Sequence, residues 1–168
     1  QEIKAAHNKL HILINNAGFG MYGAMEDTPI EEAKYLFEVN LFGLANLTNE
    51  VLPIMRSQGC GKIINTSSIA GNMYSPFAAW YHASKHALEG WSDCLRMEVK
   101  QFGIDVILIE PGLIKTGFAD ELMEKMMERS GNGAYKEMAA TVKKVSDKIY
   151  YKSNPSPPSV IAELMYRA

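Results

Sequence analysis

Tyr81-His-Ala-Ser-Lys85 opens a predicted helix over residues 79–102, and the predicted strand Lys62–Ser67 lies before it in the chain. A phenol and an amine four residues apart lie on one face of a helix, one turn from each other. An ammonium beside a phenol favours the phenolate, so we expect the pKa of Tyr81 to fall from its usual value of about 10. A tyrosine with a lowered pKa could exchange a proton with an alcohol or carbonyl oxygen near neutral pH. Ser68 follows the strand, and its hydroxyl could point at the same oxygen.

The spacing of tyrosine and lysine, taken alone, is weak support for a proton-transfer pair. These residues fall four apart on many helices, and the simpler interpretation is a surface pair with a buried ring. The segments around the helix decide between the two interpretations.

Those segments predict alternating strands and helices. Short apolar, β-branched runs predict strands at Leu10–Asn15, Lys62–Ser67 and Asp105–Glu110. A long amphipathic helix is predicted from Pro29 to about Ser57, with Thr28 as its cap. The nearly continuous apolar character of the third strand fits a strand that is covered on both faces. The order of these elements predicts an α/β fold with right-handed crossovers and a parallel sheet.

Three further regions flank this unit. Residues 113–155 are rich in Met, Lys and Glu at helical spacing, and we expect them to form a mobile helical flap over the substrate. Residues 159–168 predict the start of another helix, and residues 1–9 predict the end of a polar one. We interpret residues 1–168 as a single domain.

The composition argues against several functional classes. The 168 residues are 47% hydrophobic and 21% charged, which is typical of a globular chain. A net charge of −2 argues against binding to nucleic acid or to an anionic membrane surface. No apolar run approaches the roughly 20 residues that a membrane-spanning helix needs.

The cysteines and histidines indicate neither a disulfide framework nor a metal site. Cys60 and Cys94 are isolated, and we expect two buried thiols in a cytoplasmic protein. His82 and His86 lie four residues apart, a spacing that could hold a metal. We expect them instead to cover the side of the helix face that carries Tyr81, and we predict no metal ligands.

Together these motifs resemble the short-chain dehydrogenase/reductase family, whose fold is a Rossmann-like, doubly wound parallel sheet. The resemblance covers nearly the whole chain and rests on the order and spacing of Asn15-Asn16-Ala17-Gly18, Asn40, Ser68, Tyr81 with Lys85, and Pro111-Gly112 with Thr116. The stretch from Tyr81 to Arg96 is also similar to the branch that contains retinol and 17β-hydroxysteroid dehydrogenases.

The resemblance implies an NAD(P)(H)-dependent oxidoreductase that interconverts an alcohol and a carbonyl by hydride transfer. It implies that Tyr81 is the general acid/base, that Lys85 lowers its pKa and binds the nicotinamide ribose, and that Ser68 holds the substrate oxygen. Asn40 would orient a water that links Lys85 to solvent, and a special role fits because asparagine is a poor helix former. Without the resemblance, the simpler interpretation of Asn40 is a satisfied polar residue on a half-buried helix.

The resemblance also implies the residues that bind NAD or NADP, a choice that this sequence leaves open. Besides Tyr81 and Lys85, the adenosine side would be lined by Asn15, Asn16, Ala17 and Gly18, and the nicotinamide would be wrapped by Pro111, Gly112, Ile114 and Thr116. The simpler interpretations of these two segments are a strand-to-loop turn and a strand-ending Pro-Gly turn.

The substrate and the assembly are less closely defined. The methionine-rich flap indicates a lipophilic alcohol or ketone rather than a sugar, although methionines at helical spacing also suit an ordinary core. Members of the family usually form homodimers or homotetramers through their two long helices, here about 29–57 and 79–102.

The family's glycine-rich turn, Thr-Gly-x-x-x-Gly-x-Gly, does not occur in this sequence. In the family that turn holds the pyrophosphate of the cofactor. We therefore expect these residues to be the middle and C-terminal, catalytic part of a chain of roughly 250 residues or more. Without a preceding strand, Leu10–Asn15 would present a bare apolar edge.

Two other functions remain open from the sequence. The chain could be a binding or regulatory protein of the family that does no chemistry, although nothing else requires Tyr81, Lys85, Ser68 and Asn40 together. It could also be a fragment that binds no cofactor by itself.

Overall fold

A three-stranded parallel sheet lies at the centre of the computed structural model, which describes residues 9–168. Strands β1 (Ile12–Asn15), β2 (Gly61–Thr66) and β3 (Ile104–Ile109) lie in that order across the sheet. The strands are within two residues of their predicted limits, and the predicted parallel α/β fold is confirmed. The helix predicted over residues 1–9 falls in the part of the chain outside the described residues.

Six α-helices are present in the described part of the chain. They are α1 (Ile30–Phe37), α2 (Gly43–Gln58), α3 (Ala79–Val99), α4 (Phe118–Ser130), α5 (Lys136–Lys152) and α6 (Pro158–Arg167). The region predicted as a flap thus consists mainly of two helices, α4 and α5. Between residues 9 and 168, no helix is both long and apolar enough to cross a membrane.

The long helix predicted between Pro29 and Ser57 is interrupted by a π-helical turn at Glu38–Phe42. In this turn the Gly43 N–H donates to the Glu38 carbonyl five residues earlier, and the turn directs Asn40 into the interior, where it is 1% exposed. Single π-helical turns of this kind often occur at functional sites. The predicted cap is wrong, because the Thr28 hydroxyl donates to the Ala24 carbonyl and α1 has no side-chain cap.

The main core lies between one face of the sheet and helices α2 and α3. Alternate strand residues point to this face, as the two-residue period of a strand requires. The buried cluster consists of Leu13, Val51, Met55, Ile63, Leu95, Val99, Ile104 and Val106. Burial of each large apolar side chain contributes about 1.5–3 kcal/mol to folding, so this cluster fixes α3 and its polar residues against the sheet.

The opposite face of the sheet is only partly covered. Helix α6 packs against β3. Ile12 and Ile14 of β1 are 56% and 48% exposed, and β1 lies at the edge of the sheet. The apolar edge expected for this strand is therefore present in the described residues.

Cys60 and Cys94 are free and exposed. The prediction that both are buried is wrong, because Cys60 follows the end of α2 and Cys94 lies on the outer face of α3.

Candidate active site

Ser68, Tyr81 and Lys85 line one cavity of about 800 Å³ at the carboxyl ends of the strands. Ser68 lies just beyond β2, and Tyr81 and Lys85 lie one turn apart on α3. The ends of parallel strands form the usual ligand crevice of such sheets. The structure thus brings together the three side chains on which the sequence-based interpretation depends.

The phenol of Tyr81 is buried among aromatic rings. Its ring centre lies 6.5 Å from that of Tyr22 and 6.2 Å from that of Phe118, and the residue is 7% exposed. Burial raises the pKa of Tyr81 above its usual value, a hydrogen bond with the Ser68 hydroxyl lowers it, and the Tyr22 phenol raises it. The predicted fall in the pKa of Tyr81 is wrong, because loss of solvation outweighs the other influences.

Lys85 is a buried cation with one backbone acceptor. Its Nζ donates to the carbonyl of Thr66 at 2.9 Å. Burial lowers the pKa of Lys85 to about 8, and the carboxylate of Glu89, one turn further along α3, opposes that shift. Near neutral pH the amine is mostly protonated, and it places a positive charge in the cavity wall.

Asn40 lies behind the cavity wall rather than in it. Its Oδ1 accepts from the Phe19 N–H at 3.0 Å, and its Nδ2 donates to the Phe19 carbonyl at 2.9 Å. Nδ2 also donates to Ser84 Oγ at 3.2 Å, and Ser84 in turn donates to the Tyr81 carbonyl at 2.8 Å. Asn40 therefore ties the turn after β1 to the first part of α3, close to Tyr81 and Lys85.

Most of the residues predicted to bind the cofactor reach the cavity. Those that line it are Asn16, Gly18, Pro111, Gly112, Ile114 and Thr116, together with Tyr81 and Lys85. The lining does not include Asn15 or Ala17. Asn15 Nδ2 instead donates to Asn65 Oδ1 on the neighbouring strand at 2.9 Å and to Thr48 Oγ1 at 3.2 Å. Its side chain joins β1 to β2 and α2.

The loop after β3 is fixed from two sides. The Lys115 N–H donates to the Ser156 carbonyl at 2.8 Å, and the Ser156 N–H donates to the Leu113 carbonyl at 3.3 Å. The Tyr150 hydroxyl of α5 lies 3.4 Å from the Ile114 carbonyl and 3.1 Å from the Thr116 carbonyl. This segment of the cavity wall is thus attached to α5 and to the loop that follows it.

A protein-family model described as short chain dehydrogenase matches residues 1–127. The chain belongs to the short-chain dehydrogenase family. The likeness extends to a solved short-chain dehydrogenase from Streptomyces avermitilis, which is 32% identical with a TM-score of 0.81; the match covers 98% of this chain and 58% of that one. A doubly wound Rossmann-like fold is therefore established for the described residues.

Two curated relatives carry names that specify a reaction. A 3-ketodihydrosphingosine reductase from Bacteroides thetaiotaomicron is 45% identical over 120 residues, which are 71% of this chain and 45% of that protein. An NADPH-dependent 3-dehydrocapnine reductase from Ornithobacterium rhinotracheale is 41% identical over 132 residues, which are 76% of this chain and 44% of that protein. The chain spans about half the length of the curated relatives that it matches. The narrower similarity to retinol and 17β-hydroxysteroid dehydrogenases stays a prediction.

Some residues that line this cavity lie outside the segments predicted from the sequence to form the site. They include Tyr22, Met73 and Ser75, whereas Phe118, Leu122, Met123 and Tyr150 belong to the predicted flap. None belongs to a spaced motif, and each comes from a loop or helix whose position only the packing defines. The aromatic residue at position 22 was the available signal, because a large ring close to a sequence motif tends to be packed rather than free in solvent.

Proposed function

We propose that this protein is an NAD(P)(H)-dependent oxidoreductase that interconverts an alcohol and a carbonyl, with Tyr81 as the general acid/base. The observation that carries the proposal is the placement of Ser68, Tyr81 and Lys85 around one cavity. Membership of the short-chain dehydrogenase family supports an oxidoreductase. When bound, the cofactor supplies or accepts the hydride, and the protein supplies position and the proton.

Tyr81 and Ser68 would act on the oxygen of the substrate. Because burial raises its pKa, the Tyr81 phenol keeps its proton near neutral pH and is ready to donate it to a carbonyl oxygen. The Ser68 hydroxyl, which is a hydrogen-bond partner of the same phenol, would hold that oxygen beside it. In the reverse direction, Tyr81 would accept the proton of the alcohol.

The cavity fits a nicotinamide cofactor on the side of Lys85. An ammonium has three donors, and the bond to Thr66 uses one of them, so the others can bind ribose hydroxyls. Gly18 lies beside this amine, since a Cβ there would be 3.8 Å from Lys85 Nζ. Asn16, Pro111, Gly112, Ile114 and Thr116 would form the remaining wall, whereas contact of Asn15 and Ala17 with the cofactor stays a prediction.

Asn40 would act by holding neighbouring segments of the site in position. Its hydrogen bonds to Phe19 and Ser84 hold together the turn and the helix that carry Gly18 and Tyr81. The further role of orienting a water near Lys85 stays a prediction.

The substrate would be a lipophilic ketone or alcohol. The lining of the cavity includes the apolar side chains of Met73, Phe118, Leu122 and Met123. The two named relatives are reductases whose names denote a keto and a dehydro compound, and one of those names denotes the ketone of a sphingoid base. Helices α4 and α5 would then be the flap over this substrate.

The protein would also assemble as a homodimer or homotetramer. The helices α2 and α3 expose apolar side chains, with Leu47 49% and Met97 73% exposed. Contact between copies through these helices would cover them, and light scattering of the purified protein reports the mass directly.

The test uses the full-length protein with NADH and NADPH in turn. Replacement Tyr81→Phe removes only the hydroxyl, so we expect turnover of a lipophilic ketone to fall by about 10²–10⁴. The matched control is Tyr74→Phe, since Tyr74 is 86% exposed and is not part of the cavity wall.

The other outcomes separate the competing functions. Full turnover in Tyr81→Phe would exclude Tyr81 as the acid/base. Cofactor binding without turnover of any alcohol or ketone would favour a binding or regulatory role. If neither cofactor bound to residues 1–168, this chain would be a fragment that cannot bind a cofactor by itself.

A further inference from the structure

Helix α5 carries an apolar stripe that the described part of the chain leaves about half exposed. The stripe consists of Met138, Val145 and Ile149, which are between 48% and 54% exposed. Steps of seven and four residues place these three side chains on one face of the helix. Single apolar residues on a surface are ordinary, whereas a continuous apolar row in solvent often marks an interaction surface.

The stripe is separate from the face by which α5 packs on the protein. Ala139 is buried in the cluster that contains Met126 of α4, and Val142 packs against that cluster. Ser146 and Tyr150 line the cavity. Helix α5 therefore has a packed face and, beside it, a second apolar face that is directed to solvent.

A row of three lysines runs along α5 beside the stripe. Lys144, Lys148 and Lys152 are exposed and lie four residues apart, so they follow one side of the helix. Lys148 comes three residues after Val145, and Lys152 comes three residues after Ile149. Residues at this spacing are neighbours on a helix surface, so positive charge lies next to exposed apolar side chains.

The charge of α5 is opposite in sign to that of the whole chain. The helix carries five lysines and two acidic residues, whereas the 168 residues have a net charge of −2. One of the two acidic residues, Asp147, is paired with Lys143 at 2.9 Å. In the part of the chain that the structure describes, no ion pair involves the row of three lysines. The overall net charge therefore does not describe this surface.

The combination of stripe and lysine row fits an anionic membrane surface. A basic amphipathic helix lies in the interface of such a membrane, with its apolar side chains among the lipids and its lysines near the phosphates. The stems of lysines can lie along apolar surface while the ammonium groups stay in water. An apolar protein surface over the stripe would take these ammonium groups out of water, and a second copy would bring two like-charged rows together.

We infer that α5 docks this protein on the surface of a bilayer that contains anionic lipids, with Met138, Val145 and Ile149 in the headgroup region. Docking brings the cavity close to the bilayer, because Ser146 and Tyr150 of the same helix line it. The use of this contact to take up a lipophilic substrate rests on the proposed function, whereas the contact itself does not.

The test measures co-sedimentation of the full-length protein with two kinds of vesicle, phosphatidylcholine alone and an equal mixture of phosphatidylcholine and phosphatidylglycerol. Wild type should bind the mixed vesicles more tightly, and added salt should weaken that binding. The combined replacements Lys144→Gln, Lys148→Gln and Lys152→Gln should lower the affinity for mixed vesicles about a hundredfold. Each lysine near an anionic surface contributes about fivefold.

The matched control makes the same change in net charge away from α5. It combines Lys9→Gln, Lys34→Gln and Lys100→Gln, three exposed lysines before β1, on α1 and after α3. Its affinity for the mixed vesicles should stay close to that of wild type. An equal loss of binding in the two triple variants would show that charge anywhere on the surface suffices, which overturns docking through α5.

A second variant tests the apolar stripe. Val145→Ser combined with Ile149→Ser should lower the affinity for mixed vesicles about tenfold, because these side chains then gain little from entering the lipid. Neither residue lines the cavity, so turnover of a short, water-soluble ketone should stay as in wild type. Unchanged vesicle binding by this variant would contradict the inference.

The remaining outcomes separate docking from its alternatives and from the proposed function. Failure of wild type to bind the mixed vesicles, or equal binding to both kinds of vesicle, overturns the inference. A lower mass in light scattering for Val145→Ser with Ile149→Ser would show that a second copy covers the stripe, and it also overturns docking. Vesicle binding without turnover of any ketone supports docking and contradicts the proposed function, and turnover without vesicle binding does the reverse.

Discussion

Asn40 and Phe19 exchange two hydrogen bonds, so that one buried amide side chain satisfies both backbone groups of a residue 21 positions earlier. A side-chain amide is suited to this task because it carries both an acceptor and two donors. The π-helical turn at Glu38–Phe42 brings the amide to that place. The turn after β1 therefore has a defined position relative to α3, and the walls of the cavity depend on it.

Replacement Asn40→Asp should destabilise the protein by about 3 kcal/mol, since it removes the Nδ2 donor and leaves a buried carboxyl facing the Phe19 carbonyl. Urea unfolding at neutral pH measures the change through the midpoint. The matched control is Asn46→Asp on the exposed side of α2, where a change within about 0.5 kcal/mol is expected. Equal midpoints for the two variants would show that the bonds to Phe19 contribute little.

Replacement Gly18→Ala should destabilise the protein by about 1–3 kcal/mol, in the range seen for overpacking. A Cβ at this position would lie 3.1 Å from Asn40 Oδ1, and Asn40 cannot retreat without breaking its bonds to Phe19. The control Gly90→Ala lies within α3 with nothing within 4 Å of the added carbon, so it should stabilise by about 0.5–1 kcal/mol. Thermal unfolding of the two variants should shift in opposite directions, and a shift in the same direction would argue against the contact with Asn40.

The stability of the protein should rise with pH through the titration of Lys85. Burial lowers the pKa of Lys85 from 10.5 to about 8, so between these values the unfolded chain binds more protons than the folded one. The cost of the buried charge is fully present below pH 8 and is relieved as the pH rises toward 10.5. The gain across this window is about 3 kcal/mol.

Replacement Lys85→Met removes this titration. Urea unfolding at several values between pH 7 and pH 10 should show the stability of wild type rising relative to that of the variant. The exposed Lys34→Met serves as the control, and its curve should stay parallel to that of wild type. Parallel curves for Lys85→Met as well would mean that Lys85 keeps an ordinary pKa in the folded protein.

The sheet and α3 could be predicted from the sequence because the residues that they bury follow local apolar patterns. Strands covered on both faces leave nearly continuous apolar runs, and β2 and β3 were predicted within one residue at each end. The convergence of Ser68, Tyr81 and Lys85 followed from the same elements, because residues at a strand end and on the next helix meet at one edge of the sheet.

The remaining features depend on packing between distant segments, which local patterns do not show. The rise in the pKa of Tyr81 comes from the burial of its ring beside Tyr22 and Phe118, residues that lie 59 positions before and 37 positions after it. The π-helical turn at Glu38–Phe42 could not be predicted, because its apolar residues have the same spacing as those of the helices around it. Asn15 belongs to a motif that was predicted to bind the cofactor, yet its side chain is hydrogen-bonded to Asn65. This pairing follows from the register of β1 and β2, which places the two residues side by side.

The attachment of Tyr150 to the carbonyls of Ile114 and Thr116 has a consequence for how the cavity opens. If α5 moves outward to admit a reactant, either the hydrogen bonds of the Tyr150 hydroxyl break or residues 114–116 move with the helix. Ser156, in the loop after α5, is hydrogen-bonded to Leu113 and Lys115 and holds the same stretch. The position of α5 and the shape of the cavity wall at Ile114 and Thr116 are thus mechanically linked.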